Sequence, residues 1–221
     1  DVVLHFASLC AVVVYYRASI ILLTQDFFSS ISTRKMQGES VLAWGVLLGT
    51  IPVGLVGLFF NDYVEMNLRS FEVVAYVTIF FGLALGFSDL VHRVRCINRE
   101  VIGGSDIFIV GCAQALALIP GTSRAGITIT AALLIGLSRK LSIKFAFLLS
   151  IPVITLATLM KLFELSNESQ QVNWILLLFG FAIAFLTSYF TIVFFIKLVE
   201  RIGFLPFVVY RIFLGALLFL I

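Results

Sequence analysis

The residues best equipped for chemistry are Pro120-Gly121-Thr122-Ser123-Arg124-Ala125-Gly126, set between the apolar runs IFIVGCAQALAL and ITITAALLIGL. An Arg inside hydrocarbon costs at least ~2.5 kcal/mol even on lenient insertion scales, so such a residue faces a bundle interior or an aqueous cavity and marks a site. Gly121 and Gly126 let backbone N–H groups approach a ligand, and a half-helix starting near Gly126 aims its positive dipole end at the same place. Arg124 adds a planar fork that matches two phosphate oxygens, while Thr122, Ser123 and Thr128 supply hydroxyls. Phosphate is the natural guest of this donor set. A carboxylate fits the same donors, and an Arg that only caps carbonyls of a neighbouring helix is the structural alternative. The spacing G-x-x-x-x-G-x-T is shared with a nucleotide P-loop, but Ile127 stands where the lysine belongs and no strand precedes it, so that reading is rejected.

Any such site needs elements to hold it, and composition says in what medium. With 61% hydrophobic and 12% charged residues and a mean hydropathy of +1.13, the chain has too little polar surface for a water-soluble globule. It reads as an all-α polytopic membrane protein of about six transmembrane helices, forming one integral membrane domain over residues 1–221. Apolar segments run at about 2–24, 41–60, 73–91, 107–119, 126–137, 145–163, 174–199 and 207–221. The fourth and fifth hold about a dozen residues each, roughly 18–20 Å of helix against a ~30 Å hydrocarbon core. They suggest a re-entrant helix-loop-helix hairpin over about 107–137, whose polar tip is tolerable at membrane depth only when packed inside protein or lining a cavity. A single Pro-kinked spanning helix is the alternative.

Loop charges separate the two readings. Arg34 and Lys35; Arg93, Arg95 and Arg99; Arg139, Lys140 and Lys144; and Lys197 with Arg201 form four basic loops, all expected on the cytoplasmic side. The other loops, with Asp62, Glu65, Arg69 and Glu72 and then Glu164 and Glu168, fit the outside. Two basic loops flank 107–137, so that region must enter and return on one side, with Arg124 pointing toward the outer face.

Other features exclude rather than assign. The net charge of +3 resides in short loops and not on one clustered face, so nucleic acid is not a partner. Cys10, Cys96 and Cys112 are odd in number and lack His neighbours, which argues against a disulfide framework or a zinc site, and no residue is assigned as a metal ligand. His5 on an apolar helix and His92 in a basic loop read as packed or solvated. Arg17 reads as snorkelling from its helix, and Arg211 as mainly structural. The 23 Phe residues track the apolar segments and read as lipid-facing and packing surface. The start at Asp1, without Met or a signal-peptide pattern, reads as the middle of a protein.

The stretch Ala117-Leu118-Ile119-Pro120-Gly121-Thr122-Ser123-Arg124-Ala125-Gly126-Ile127-Thr128 resembles the PGxSRSxxT signature of the undecaprenyl-diphosphate phosphatases, the bacterial bacitracin-resistance membrane enzymes. Asp1 to Arg17, Gly136 to Pro152 and the closing Phe204-Leu205-Pro206-Phe207-Val208-Val209-Tyr210-Arg211 resemble further segments of that family, so the likeness covers nearly the whole chain. Ala125 departs from the family's second Ser and removes one hydroxyl from the cradle. The family's upstream E-x-x-x-E pair and P-x-S-S-T-G-H stretch have no counterpart here. Gln114 resembles the second-repeat counterpart of the acidic motif, and either lines the cavity or makes an interhelical amide contact.

The resemblance implies hydrolysis of a C55 polyprenyl diphosphate to the monophosphate and phosphate, in the bacterial cytoplasmic (inner) membrane with the site toward the outer face. This would serve carrier-lipid recycling for cell-wall synthesis. It implies catalytic roles for Arg124 and Ser123, substrate binding by Gly121, Thr122, Gly126, Thr128 and Gln114, and a divalent cation, Mg²⁺ or Ca²⁺, whose ligands are expected largely outside this chain. Residues 1–221 alone are accordingly expected to hold the lipid without turning it over. A polyprenyl-phosphate transporter or flippase, or a non-catalytic lipid-phosphate binder, are the rival classes. The expected partners are the polyprenyl diphosphate and membrane lipids; oligomeric state is not readable, with a homodimer left open.

Overall fold

The computed structural model describes residues 2–166 and 174–220. Among them every regular element is helical: α1 (Val2–Tyr15), α2 (Arg17–Thr33), α3 (Ser40–Leu48), α4 (Ile51–Asn67), α5 (Phe71–Arg95), α6 (Gly104–Ala115) running into a 3₁₀ turn (Leu116–Leu118), α7 (Arg124–Leu134), α8 (Arg139–Ser166), α9 (Trp174–Ile202) and α10 (Leu205–Leu218). Four stretches among the described residues are long and apolar enough to cross a bilayer, namely Ser40–Phe60, Phe71–Arg95, Arg139–Phe163 and Trp174–Ile202. A fifth arises if α1 and α2 count as one broken span. The all-α polytopic reading holds, and its count of about six becomes four or five. At 14 residues, α10 is too short to cross unaided.

Two expected segments are interrupted. Residues 2–24 do not form one straight span, because α1 and α2 are bent by 78° at Tyr16. At the bend the Tyr16 ring packs on Phe147 of α8, 5.9 Å between centres. Residues 41–60 break at Gly49-Thr50, between α3 and α4. That break serves packing: a Cβ on Gly111 of α6 would lie 2.9 Å from the Cα and carbonyl oxygen of Gly49, so the two backbones touch. Close approach through small residues is how helices associate where lipid removes the hydrophobic drive.

The long α8 organises the interior. On one side Phe145, Leu148 and Leu149 pack with Leu42 of α3 and with Ile107 and Val110 of α6. On the other, Ile143 and Ala146 meet Ile129 and Leu133 of α7, Leu85 of α5 and Val208 of α10. The outward Phe residues, such as Phe59, Phe108, Phe179 and Phe194, are 64–79% exposed and form the lipid-facing surface.

α6 and α7 fold back on each other as a hairpin, and its ends are tied side by side. The Arg99 N–H donates to the Gly136 carbonyl at 3.0 Å, and the Ser138 N–H donates back to the Arg99 carbonyl at 2.9 Å. The helices begin and end earlier than the apolar runs suggest. Asp106 starts α6 by accepting from the Gly103 N–H at 2.8 Å, and Gly136 at φ +87 stops α7. There the N–H groups of Gly136 and Leu137 return to the carbonyls of Leu133 and Ala132, a Schellman closure.

The four basic loops converge at one end of the molecule. Buried Asp89 takes Arg139 at 2.7 Å and Arg93 at 2.8 Å, and Arg93 also reaches the Ile202 carbonyl. Asp106 holds Arg99 through two bonds and thereby raises the pKa of its guanidinium. Lys144 pairs with Glu39 at 2.9 Å, tying α8 to the α2–α3 turn. The acidic loop containing Glu168 lies outside the described residues.

Candidate anion site at the hairpin tip

The site follows from how the chain turns between α6 and α7. After the 3₁₀ turn, Pro120 prevents helix from continuing, and Gly121 adopts φ +91, a left-handed value that only glycine takes without strain. A Cβ at Gly121 would meet the Val74 carbonyl oxygen of α5 at 2.6 Å, so the tip backbone lies directly on α5. Ser123 then caps α7, its Oγ accepting from the Gly126 N–H at 3.2 Å. The N–H groups of Arg124 and Ala125, first in α7, have no backbone acceptor among the described residues, so the positive end of the helix stays open.

Arg124 is the charge at that end. It is partly buried, and its guanidinium makes no hydrogen bond or ion pair among the described residues. Among the described residues no carboxylate is paired with it. Because a cation withdrawn from water is costly when unpaired, this arrangement calls for an anion. Beside it the Thr122 Oγ lies buried without a hydrogen-bond partner. The structural alternative for Arg124, capping carbonyls of a neighbour, is not what the geometry shows.

A second Arg performs that capping task. Nη2 of Arg211, on α10, donates to the Gly121 carbonyl at 2.8 Å and to the Thr78 carbonyl of α5 at 3.2 Å. Thr78 also donates its hydroxyl to the Gly121 carbonyl at 3.3 Å.

Four residues expected at the ligand make contacts within the protein. Thr128 bonds back to the carbonyls of Arg124 and Ala125 at 2.9 and 3.1 Å and is 1% exposed, so its hydroxyl is spent inside α7. Gly126 is small because of the cap: a Cβ there would sit 3.0 Å from the Ser123 Cβ. Its N–H is engaged by Ser123, and so does not reach a ligand. Gln114 is fully buried and donates to the Gly49 carbonyl at 3.4 Å, the interhelical contact. Gly121 approaches α5 rather than a ligand. The structure therefore gathers Thr122, Ser123 and Arg124 at the open helix end, with the others as their supports.

The turn before the tip also borders a cavity. A cavity of about 490 Å³ between α1, α4 and α8 is bounded by Leu118, just before the tip, and by His5, Arg69, Thr158 and Lys161. Arg69 belongs to the loop expected outside, whereas Thr158 and Lys161 carry no signal in the sequence because they lie inside an apolar segment. A smaller hollow of about 340 Å³ between α2, α3 and α8, lined by Leu23, Phe27, Leu47 and Pro152, is almost wholly apolar.

A divalent cation does not fit what is present. Among the described residues no three His, Cys, Asp or Glu side chains could hold a metal, and the tip offers hydroxyls and a guanidinium, donors for an anion. Asp89 and Asp106 are committed to arginines at the basic end.

The model of the bacitracin resistance protein BacA family matches residues 1–217. The chain belongs to that family. Among curated members of the BacA family, the undecaprenyl-diphosphatase of Ruthia magnifica subsp. Calyptogena magnifica is 55% identical over 219 residues, covering 99% of this chain and 82% of the relative. Undecaprenyl-diphosphatase 2 of Stutzerimonas stutzeri (strain A1501) is 47% identical over 220 residues with coverage of 99% and 82%. The undecaprenyl-diphosphatase of Nitrosococcus oceani is 46% identical over 219 residues with the same coverage.

Proposed function

We propose that this BacA-family chain is an undecaprenyl-diphosphate phosphatase of a bacterial inner membrane, with the hairpin re-entering the bilayer from the basic, cytoplasmic side and its tip receiving the lipid's diphosphate in the outer half. The observation that carries the reading is an unpaired, partly buried Arg124 at an open helix N-terminus, within a chain 55% identical to a protein named for this activity. Membership supplies the reaction class, and the tip supplies donors of the right kind for its charged group.

In phosphoryl transfer, negative charge spreads over the equatorial oxygens, so catalysis rests mainly on positioning and charge stabilisation. Arg124 offers two parallel N–H donors to those oxygens, and the N–H groups of Arg124 and Ala125 add the helix end. Ser123, whose lone pair is taken by the Gly126 N–H, has its O–H proton free to donate to a phosphate oxygen. Its O–H suits it to donate to the substrate, and no described His, Asp or Glu is bonded to it. The divalent cation that this chemistry commonly uses has no seat among the described residues, and no step here depends on one.

The test is phosphate release from undecaprenyl diphosphate by the full-length protein in detergent, compared with transbilayer movement of the same lipid in sealed vesicles. Release abolished by Arg124→Ala is the expected result. Lipid movement without release would replace this reading with a transporter.

A further inference from the structure

We infer that Arg211 is a positioning residue of this site: it clamps the Gly121 carbonyl against α5 and so fixes the direction in which Arg124 and the start of α7 present their donors. The inference rests on the phosphatase reading for its kinetic part, but not for its structural part.

The clamp is built by three helices. Gly82 and Gly215 let α10 approach α5 closely: a Cβ on Gly82 would meet the Arg211 Cβ at 3.0 Å, and one on Gly215 would meet the Ala75 carbonyl oxygen at 3.0 Å. That contact lets Arg211 reach past α5 to the tip. A single nitrogen, Nη2, then bridges the Gly121 and Thr78 carbonyls at 2.8 and 3.2 Å. Among the described residues Nε is buried with no acceptor, and no carboxylate is paired with the guanidinium. An arginine bought only for packing would be an expensive choice here, since a buried donor left without a partner is costly. What the guanidinium gains is control of one peptide group, three residues before Arg124, at the one tip position with a left-handed backbone. With its carbonyl held by Arg211 and by the Thr78 hydroxyl, Gly121 cannot rotate without breaking both bonds.

Arg211 therefore acts through the tip and not on the substrate. Misplacing catalytic groups by about 1 Å can cost on the order of 10²-fold in rate. Arg211→Gln, purified as the full chain, should lose roughly 30-fold or more in kcat with KM changed less than about threefold, and Arg211→Lys should recover part of the loss because it keeps the charge and one donor. Because both residues act through one cradle, the loss in the double variant Ser123→Ala/Arg211→Gln should fall well short of the product of the two single losses. A readout independent of activity is amide hydrogen exchange in lipid nanodiscs. Exchange over residues 121–126 should accelerate in Arg211→Gln while the middle of α8 stays as in wild type. Unchanged exchange at the tip, or full kcat in the folded fraction of Arg211→Gln, would overturn the inference, as would a rise in KM alone, which would mean direct substrate contact. If the wild-type protein hydrolyses nothing while the exchange result holds, the phosphatase reading fails and the clamp stands.

Discussion

The Ser138 N–H donates to the Arg99 carbonyl at 2.9 Å, so the strand of chain entering the hairpin and the one leaving it lie side by side. Arg95 and Arg99 on one strand and Arg139 and Lys140 on the other therefore occupy the same end of the molecule. In the topology proposed above, which follows the positive-inside rule, that end is the cytoplasmic one.

The topology can be read chemically. In a background lacking Cys10, Cys96 and Cys112, single Cys probes at Asn98 and Lys140, both exposed, should resist an impermeant thiol reagent added to intact cells. A probe at Asn67, at the far end of α4, should react. Reaction at Lys140 without reaction at Asn98 would establish a spanning helix in place of the hairpin.

Asp89 is 4% exposed and carries both Arg93 and Arg139. Removing one partner of a buried pair leaves charges uncompensated, but these arginines retain access to water, which screens the loss. Asp89→Asn should cost about 1–3 kcal/mol of stability, seen as a lower melting temperature in detergent. Its kcat should be near wild type, because the cluster sits at the end opposite the tip.

Gly121 offers the sharpest backbone test. At φ +91, with the Val74 carbonyl oxygen 2.6 Å from an added Cβ, Gly121→Ala both strains the turn and pushes the tip off α5. We expect about 1–3 kcal/mol of destabilisation and a loss of most activity in the protein that remains folded. Thermal unfolding and phosphate release on the same preparation separate the two effects.

The hydroxyls should divide by their bonds. Ser123→Ala removes a helix cap, at about 1 kcal/mol, and a donor at the open helix end, so activity should fall roughly 10²-fold if the donor reaches the transition state. Thr128→Val should be nearly silent, since that hydroxyl bonds only to carbonyls of its own helix. Equal losses in both variants would mean that Thr128 faces the ligand after all.

The hairpin was legible because its signals are local: a Pro-Gly break, two short apolar runs and an Arg where hydrocarbon forbids one. The convergence of the basic loops was legible for the same reason, as charge placement needs no tertiary knowledge. The bend at Tyr16 was not, since neither Gly nor Pro marks it and the cause is a ring packed on another helix. Thr128 is expected at the ligand for its hydroxyl, but residue type does not reveal orientation, and that hydroxyl is turned into its own helix; for Gln114, where the sequence leaves cavity lining and an interhelical amide contact both open, the structure shows the contact to Gly49. The Arg211 clamp spans 90 residues, and no periodicity within α10 could reveal that its target is the Gly121 carbonyl.

The central claim is that Arg124, unpaired among the described residues, is held for the phosphates of the lipid. The most direct measurement is phosphate release from undecaprenyl diphosphate by wild type, Arg124→Lys and Arg124→Ala at matched folded concentrations. The account expects no release from Arg124→Ala and severe impairment of Arg124→Lys, because an ammonium cannot make the two parallel bonds of a guanidinium. Near-normal turnover by Arg124→Ala would contradict it, and would move the site away from the hairpin tip.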